Sequence, residues 1–124
     1  MAESGMSLPL LVVTRSRIDG VEVVSATGEI DSTSAGQLGT VLEQLAVPGA
    51  QLVVDLSGVE FMGSVGLTTL LVASKSTGPQ GVLVVASHQV RRPIEVTGLD
   101  AVLPLFDTLE AALACVVRRA DEGA

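Results

Sequence analysis

The chain has 124 residues, of which 48% are hydrophobic, and this length and composition are typical of one folded domain. Its 14 Asp and Glu outnumber 7 Lys and Arg, so a formal net charge of −7 disfavours binding to nucleic acid phosphates, and two Phe without Tyr or Trp provide no platform for stacking bases. One Cys and one His exclude an internal disulfide, a cysteine-cluster metal site and any metal site built from several histidines.

The N-terminal third of the chain predicts a β-hairpin followed by a helix. Strands are expected over Leu10–Ile18 and Val21–Ile30, because the Asp-Gly pair between them is a typical two-residue hairpin turn. Apolar residues then recur at helical spacing, at Leu38, Val41, Leu42 and Leu45. Asp31 or Ser32 is expected to start this helix, and Pro48, followed by glycine, to end it.

Strands and helices alternate through the middle of the chain. The short apolar runs Gln51–Leu56 and Val82–Ala86 predict strands that are covered on both faces, and Ser64–Ser76 between them predicts a helix. A shorter helix is expected around Arg91–Thr97. Because a proline inside a helix removes a hydrogen bond and clashes with the preceding turn, we expect this helix to begin late, with Pro93 in its first turn, or to kink there.

The last segment predicts a short edge strand, Leu103–Leu105, and then the most regular helix of the chain. The helix is indicated by one apolar stripe, formed by Leu109, Ala112, Leu113, Val116 and Val117. Asp107 or Thr108 can cap its N-terminus. The whole pattern predicts an α/β fold with a mixed sheet of four to five strands and about four helices, in the order β-β-α-β-α-β-α-(β)-α.

Ser64 is the most informative candidate site residue, since an apolar strand leads through a small-residue turn into the helix that this serine begins. Free N–H groups and the helix dipole favour an anion at such a position, so a phosphoryl group on Ser64 could be accommodated. A serine beside a glycine at a helix start also commonly serves only as a cap. The residues alone favour the capping interpretation.

The sequence offers little support for an enzyme. The Gly-x-Ser-x-Gly motif of serine hydrolases fails because Met62 stands two residues before Ser64. The single histidine, His88, is expected in an exposed loop rather than as a base. Glu29 and Asp31 could form an acid pair at a strand end, but helix capping by Asp31 is the simpler interpretation. We therefore expect no catalytic residue, no cofactor and no metal.

Three stretches together resemble the STAS-domain anti-sigma factor antagonists, also called anti-anti-sigma factors. Gly28–Asp31 is similar to the Gly-Glu-Leu-Asp sequence that ends the second strand of the family, and Val54–Leu67 is similar to its phosphorylation signature. The third stretch lies between Val90 and Leu113. We expect a single STAS domain over residues 8–119, with residues 1–7 and 120–124 as flexible termini.

The resemblance implies a regulator that binds an anti-sigma factor, often a serine kinase, and so releases a sigma factor. The kinase would break this complex by phosphorylating Ser64, and a metal-dependent phosphatase would restore it. The implied partner-binding residues end the second strand and begin the second helix: Glu29, Ile30, Asp31, Ser32, Thr33, Gly63, Ser64, Val65, Gly66, Leu67 and Thr68.

One position departs from the family pattern. The family usually carries Asp directly before the acceptor serine, where this chain has Gly63. The alternative is a divergent STAS binding module without a phospho-switch, which binds another signalling protein or a small ligand. In either case we expect a cytoplasmic protein, because the sequence shows neither a secretion signal nor a membrane span. The excess of acidic residues fits a monomer or weak dimer.

Overall fold

One mixed β-sheet organises the computed structural model, which describes residues 10–123 and gives side chains through residue 120. The strands in this part of the chain are β1 (Leu11–Ile18), β2 (Val21–Ile30), β3 (Leu52–Met62), β4 (Val82–Ala86) and β5 (Leu105–Phe106). They lie side by side in chain order, with β1 antiparallel to β2 and the other neighbours parallel. The predicted mixed sheet is therefore confirmed.

Helices cover both faces of this sheet. They are α1 (Ala35–Leu45), α2 (Ser64–Thr77), α3 (His88–Val96) and α4 (Leu109–Gly123). Leu38, Leu70 and Ile94, one from each of the first three helices, belong to the larger buried cluster on one face. On the other face α4 packs a second cluster, in which Val116 and Val53 take part. Because helices cover both faces, the central strands carry the unbroken apolar runs seen in the sequence.

The predicted hairpin between β1 and β2 is confirmed. Asp19 and Gly20 both have positive φ angles, of 53° and 79°. Two successive residues of this kind give the turn a twist that matches the twist of the paired strands. The register accordingly pairs Ile18 directly with Val21.

β3 is longer than predicted, since it runs to Met62 instead of ending at Leu56. β2 is long enough to pair with this extension, and two register shifts along Ser25–Glu29 accommodate the extra residues of β3. The small residues that were expected to form a turn therefore form an irregular strand. As a result β2 and β3 finish together, with Ile30 paired to Met62.

The predicted start of α1 is wrong. The helix begins at Ala35 after Ser34, and not at Asp31 or Ser32. The residues from Asp31 to Ser34 form a hydrogen-bonded turn, which the N–H of Ala35 closes by donating to the carbonyl oxygen of Asp31 at 2.9 Å. Asp31 thus stabilises the turn before the helix and does not cap the helix itself.

The predicted late start of α3 is also wrong. The helix begins at His88, and Pro93 lies in its interior. Ser87 caps the helix by accepting a hydrogen bond from the N–H of Val90 at 3.4 Å, and the side chains of Val90 and Ile94 are fully buried. Capping and burial together offset the one hydrogen bond that a proline cannot donate.

The start of β5 and the N-terminal cap of α4 differ in detail from the prediction. The edge strand begins at Leu105 and not at Leu103, and the side chain of Leu103, before the strand, is buried in the core. Of the two candidate caps, Thr108 accepts a hydrogen bond from the first turn of α4 at 3.1 Å, whereas Asp107 forms an ion pair with Arg91 at 2.7 Å.

The predicted flexibility of the two termini stays a prediction. Residues 1–7 and 124 lie outside the described residues, and residues 120–123 are the last turn of α4. Within the described part of the chain, the helices are too short or too polar to cross a bilayer.

Gly28 cannot be replaced without strain at the point where β1, β2 and β3 meet. Its φ is 114°, and a Cβ there would collide with the carbonyl oxygen of Leu10. Gly28→Ala is therefore expected to lower the free energy of unfolding by about 1–3 kcal/mol, measured by urea denaturation. In the control Gly36→Ala the new Cβ meets no atom within 4 Å, so that variant should be neutral or up to about 1 kcal/mol more stable. Similar stabilities for both variants would contradict this account of Gly28.

Candidate functional site

Ser64 is the first residue of α2, and its side chain is exposed. Gly63 occupies the cap position in an extended conformation, with φ −81° and ψ 179°. The N–H of Gly63 donates a hydrogen bond to the carbonyl oxygen of Ile30 at 2.9 Å. This bond joins the start of α2 to the end of β2, so Ser64 lies beside the turn that follows β2.

The turn after β2 is held by hydrogen bonds among its own residues. Oδ1 of Asp31 accepts from the hydroxyl and the N–H of Thr33, at 2.7 and 2.8 Å, and from the N–H of Ser34 at 3.2 Å. The buried Ser34 hydroxyl donates to the carbonyl oxygen of Glu29 at 2.8 Å. The donors on Thr33, and then those on Ser34, hold the pKa of Asp31 below its ordinary value because they stabilise the carboxylate.

Close packing also joins the two segments. A Cβ on Gly66 would lie 2.5 Å from Cγ of Met62 and 3.0 Å from Cγ2 of Ile30. Only glycine lets the first turn of α2 approach the ends of β2 and β3 so closely. The two segments that the resemblance singles out therefore meet at one edge of the sheet.

The predicted partner-binding residues differ in their exposure. Exposed side chains belong to Glu29, Ser32, Thr33, Ser64 and Thr68. Half-buried positions are Asp31, Gly63, Val65 and Leu67. The remaining two, Ile30 and Gly66, are buried and can only position the surface, not contact a partner through their side chains.

The charged residues of the two segments that meet at Ser64 are all acidic. Residues 25–42 and 52–74 contain no Lys or Arg, and their carboxylates are Glu29, Asp31, Asp55 and Glu60. The first turn of α2 carries no acidic residue, so no side chain of that turn compensates the partial positive charge of its N-terminus. The helix would therefore favour an anion on Ser64, while the neighbouring carboxylates would oppose it.

Phe61 is a surface residue that sequence reasoning missed. Its side chain is 51% exposed. In the β2–β3 register Phe61 pairs with Glu29, after a shift that leaves Glu60 without a partner. The alternation of apolar residues along β3 cannot reveal such a shift, since the shift itself changes which side chains face the core.

Other charged or reactive side chains lie away from Ser64 in the sequence and contact other parts of the fold. His88 is exposed, as expected, but lies on the first turn of α3 and not in a loop. Arg91 forms ion pairs with Asp107 at 2.7 Å and with Glu95 at 3.4 Å. Cys115 is half-buried against the cluster beneath α4.

Asp31 provides a pH-dependent test of the turn. Asp31→Ala removes the acceptor for Thr33 and Ser34, so it should unfold at lower urea concentration than the wild type at neutral pH. The pKa of Asp31 is lower in the folded state than its ordinary value of 3.8. The carboxylate therefore contributes fully to the free energy of unfolding above pH 3.8, and this contribution is lost as the pH falls through the pKa of the folded state. Urea denaturation across this range should show the two proteins converging in acid, and a constant difference would contradict the role assigned to the carboxylate.

Gly63 provides a test of the helix N-terminus. A Cβ there would lie at ordinary contact distances, with the nearest atom 3.6 Å away, so an aspartate fits. Gly63→Asp should raise the free energy of unfolding by about 0.3–1 kcal/mol, through a capping hydrogen bond and the helix dipole. Gly63→Asn, measured in parallel by urea denaturation, retains the hydrogen bond and removes the charge. If neither variant raises the free energy of unfolding, the start of α2 needs no side-chain cap.

Comparison with known proteins identifies one family. The model of the STAS domain matches residues 13–112. The anti-sigma-F factor antagonist RsfB of Mycobacterium tuberculosis is 43% identical over 113 residues, which cover 87% of this chain and 92% of RsfB.

Solved structures agree with this assignment. The crystal structure of an anti-sigma factor antagonist from Mycobacterium paratuberculosis is similar with a TM-score of 0.75 and 40% identity, over 86% of this chain and 93% of that one. The structure of the anti-sigma factor antagonist SpoIIAA in its unphosphorylated form shares the fold, with a TM-score of 0.61 and 20% identity, over 85% of this chain and 96% of its own. The chain therefore belongs to the STAS-domain family of anti-sigma factor antagonists.

Proposed function

We propose that this protein is an anti-sigma factor antagonist that binds an anti-sigma factor through the surface around Ser64 and thereby releases a sigma factor. The observation that carries the proposal is the placement of an exposed Ser64 beside the turn of Glu29–Ser34, tied to it by the hydrogen bond from Gly63 to Ile30. The protein acts by binding and not by catalysis. Its partner is an anti-sigma factor with serine kinase activity, and both work in the cytoplasm.

Phosphorylation of Ser64 is the proposed off-switch. A phosphoryl group adds about −1.5 to −2 charges at neutral pH, at the centre of a surface that must lose water when the partner binds. The group would also lie near carboxylates of the same surface. A few kcal/mol of unfavourable desolvation and repulsion is enough to break the complex, since about 1.4 kcal/mol changes the binding affinity tenfold. No change of fold is needed, and a metal-dependent phosphatase would reverse the modification.

Gly63 favours a second candidate function. The family usually carries an aspartate at this position, which could contact a kinase or orient the acceptor hydroxyl. Without it, the protein could be a divergent STAS module that binds another signalling protein or a small ligand and lacks the phospho-switch. Mass spectrometry of Ser64 after incubation with the candidate kinase distinguishes the two functions, because only the first predicts a phosphoserine there.

Substitutions of Ser64 test the switch. Ser64→Ala and Ser64→Glu are used as baits in a pull-down from the native cytoplasm, and the retained anti-sigma factor is purified for affinity measurements. Ser64→Ala should bind like the wild type, whereas Ser64→Glu should bind at least tenfold more weakly because its carboxylate must be desolvated.

Ser76→Glu is the matched control, since it places the same charge on an exposed serine at the other end of α2. It should keep the wild-type affinity. Equal affinity of Ser64→Ala and Ser64→Glu for the anti-sigma factor would contradict the switch and favour the divergent module.

A further inference from the structure

The face of the sheet beneath α4 is covered over only part of its length. The buried cluster on this face draws on the first halves of β2 and β3, through Val21, Val23 and Val53. Among the described residues, no member of this cluster comes from farther along either strand. The positions there are mostly polar: Ser25, Thr27, Glu29, Asp55 and Ser57.

Phe61 is an apolar residue on this part of the face. It lies beside Glu29 in the register of β2 and β3, and about half of its side chain is exposed. On the next strand Val12 pairs with Thr27 and is 45% exposed, while its neighbour Leu11 is buried in the cluster on the opposite face. An aromatic ring and an aliphatic side chain thus lie uncovered on one face of the sheet.

The ring of Phe61 lies against the helix start that carries Ser64. A Cβ built on Gly63 would be 3.6 Å from Cε2 and 3.7 Å from Cζ of the ring. Because Gly63 has no side chain, the ring lies close to the backbone directly before Ser64. A charge placed on Ser64 would therefore border the most apolar part of this surface.

The two charged residues that flank the ring on β2 and β3 are both acidic. Glu29 is its register partner and Glu60 precedes it, and both are exposed. Residues 25–42 and 52–74, which include the ends of β2 and β3, contain no Lys or Arg. A partner that covers the ring must therefore accept acidic groups at the edge of the contact, which Lys and Arg side chains do best.

We infer that Phe61 is the anchor residue of the partner interface, and that the partner presents an apolar pocket with a rim of basic side chains. This inference rests on the proposed function, because the partner is the anti-sigma factor. A buried aromatic at the centre of an interface contributes a large share of the binding free energy, while charged residues at the rim mainly set specificity and association rate. A phosphoryl group on Ser64 would then disrupt the contact at its apolar centre.

The test measures the affinity of the purified anti-sigma factor for the wild type, Phe61→Ala, Phe61→Leu, Ser64→Glu and the control Val47→Ala. Val47 is 53% exposed, like Phe61, but follows α1 at the opposite edge of the sheet. Phe61→Ala should weaken binding more than tenfold, Phe61→Leu should lose less, and Val47→Ala should stay within about twofold. Thermal melting of Phe61→Ala checks that the fold is retained.

Glu60→Gln tests the basic rim. It should slow association and reduce the dependence of the association rate on salt, because one attractive charge is removed. An unchanged association rate with an unchanged salt dependence would contradict the proposal that the partner has a rim of basic side chains.

The outcomes separate the anchor from the proposed function. If the affinity of Phe61→Ala is within tenfold of the wild-type affinity while Ser64→Glu does not bind, the assignment of Phe61 as the anchor is wrong and the phospho-switch stands. If Phe61→Ala and Val47→Ala lose affinity equally, the effect is not local and the anchor is also wrong. If the wild type binds no anti-sigma factor, the proposed function and the anchor fail together.

Discussion

The parallel pairing of β2 with β3 is the constraint on which the rest of the site depends. Because the two strands run in the same direction and end together, at Ile30 and Met62, the segments that follow them meet at one edge of the sheet. The hydrogen bond from Gly63 to Ile30 then fixes the start of α2 against the end of β2. Ser64 owes its position beside the turn of Glu29–Ser34 to this geometry, and not to its own side-chain contacts.

Glycines make this geometry possible. Gly28 adopts a conformation that other residues reach only with strain, and Gly66 brings α2 close to Ile30 and Met62. Gly58 is needed for a related reason, since a Cβ there would lie 2.6 Å from Cγ2 of Thr27 across the strand pair. The same small residues therefore support the fold and bring the two segments of the site together.

The surface combines a firm scaffold with exposed groups that are suited to recognition. Ser34 is buried and hydrogen-bonded, and Ile30 is fully buried, so the backbone beneath the site is well anchored. Ser64, Glu29 and Phe61 stay accessible on top of it. In the proposed function, a phosphoryl group on this surface changes binding without unfolding the protein, because the added charge lies where the partner would displace water.

Elements with strong local signals were predicted well from the sequence. The Asp-Gly turn specifies the first hairpin, and the apolar stripe around Leu113 specifies α4. Boundaries were wrong where a local rule competed with tertiary contacts. The rule against proline predicted a late start for α3, but the Ser87 cap and the burial of Val90 outweigh the bond lost at Pro93.

The sequence by itself determined the order of the elements, the acidic character of the chain and, through three stretches of which one contains Ser64, its family. These features depend on local pattern and composition, which can be read along the chain. The tertiary structure decided the length of β3, the exposure of Phe61 and the contact between Gly63 and Ile30. Those features depend on register shifts between strands that are distant in sequence, and a register is set by the packing of both faces at once.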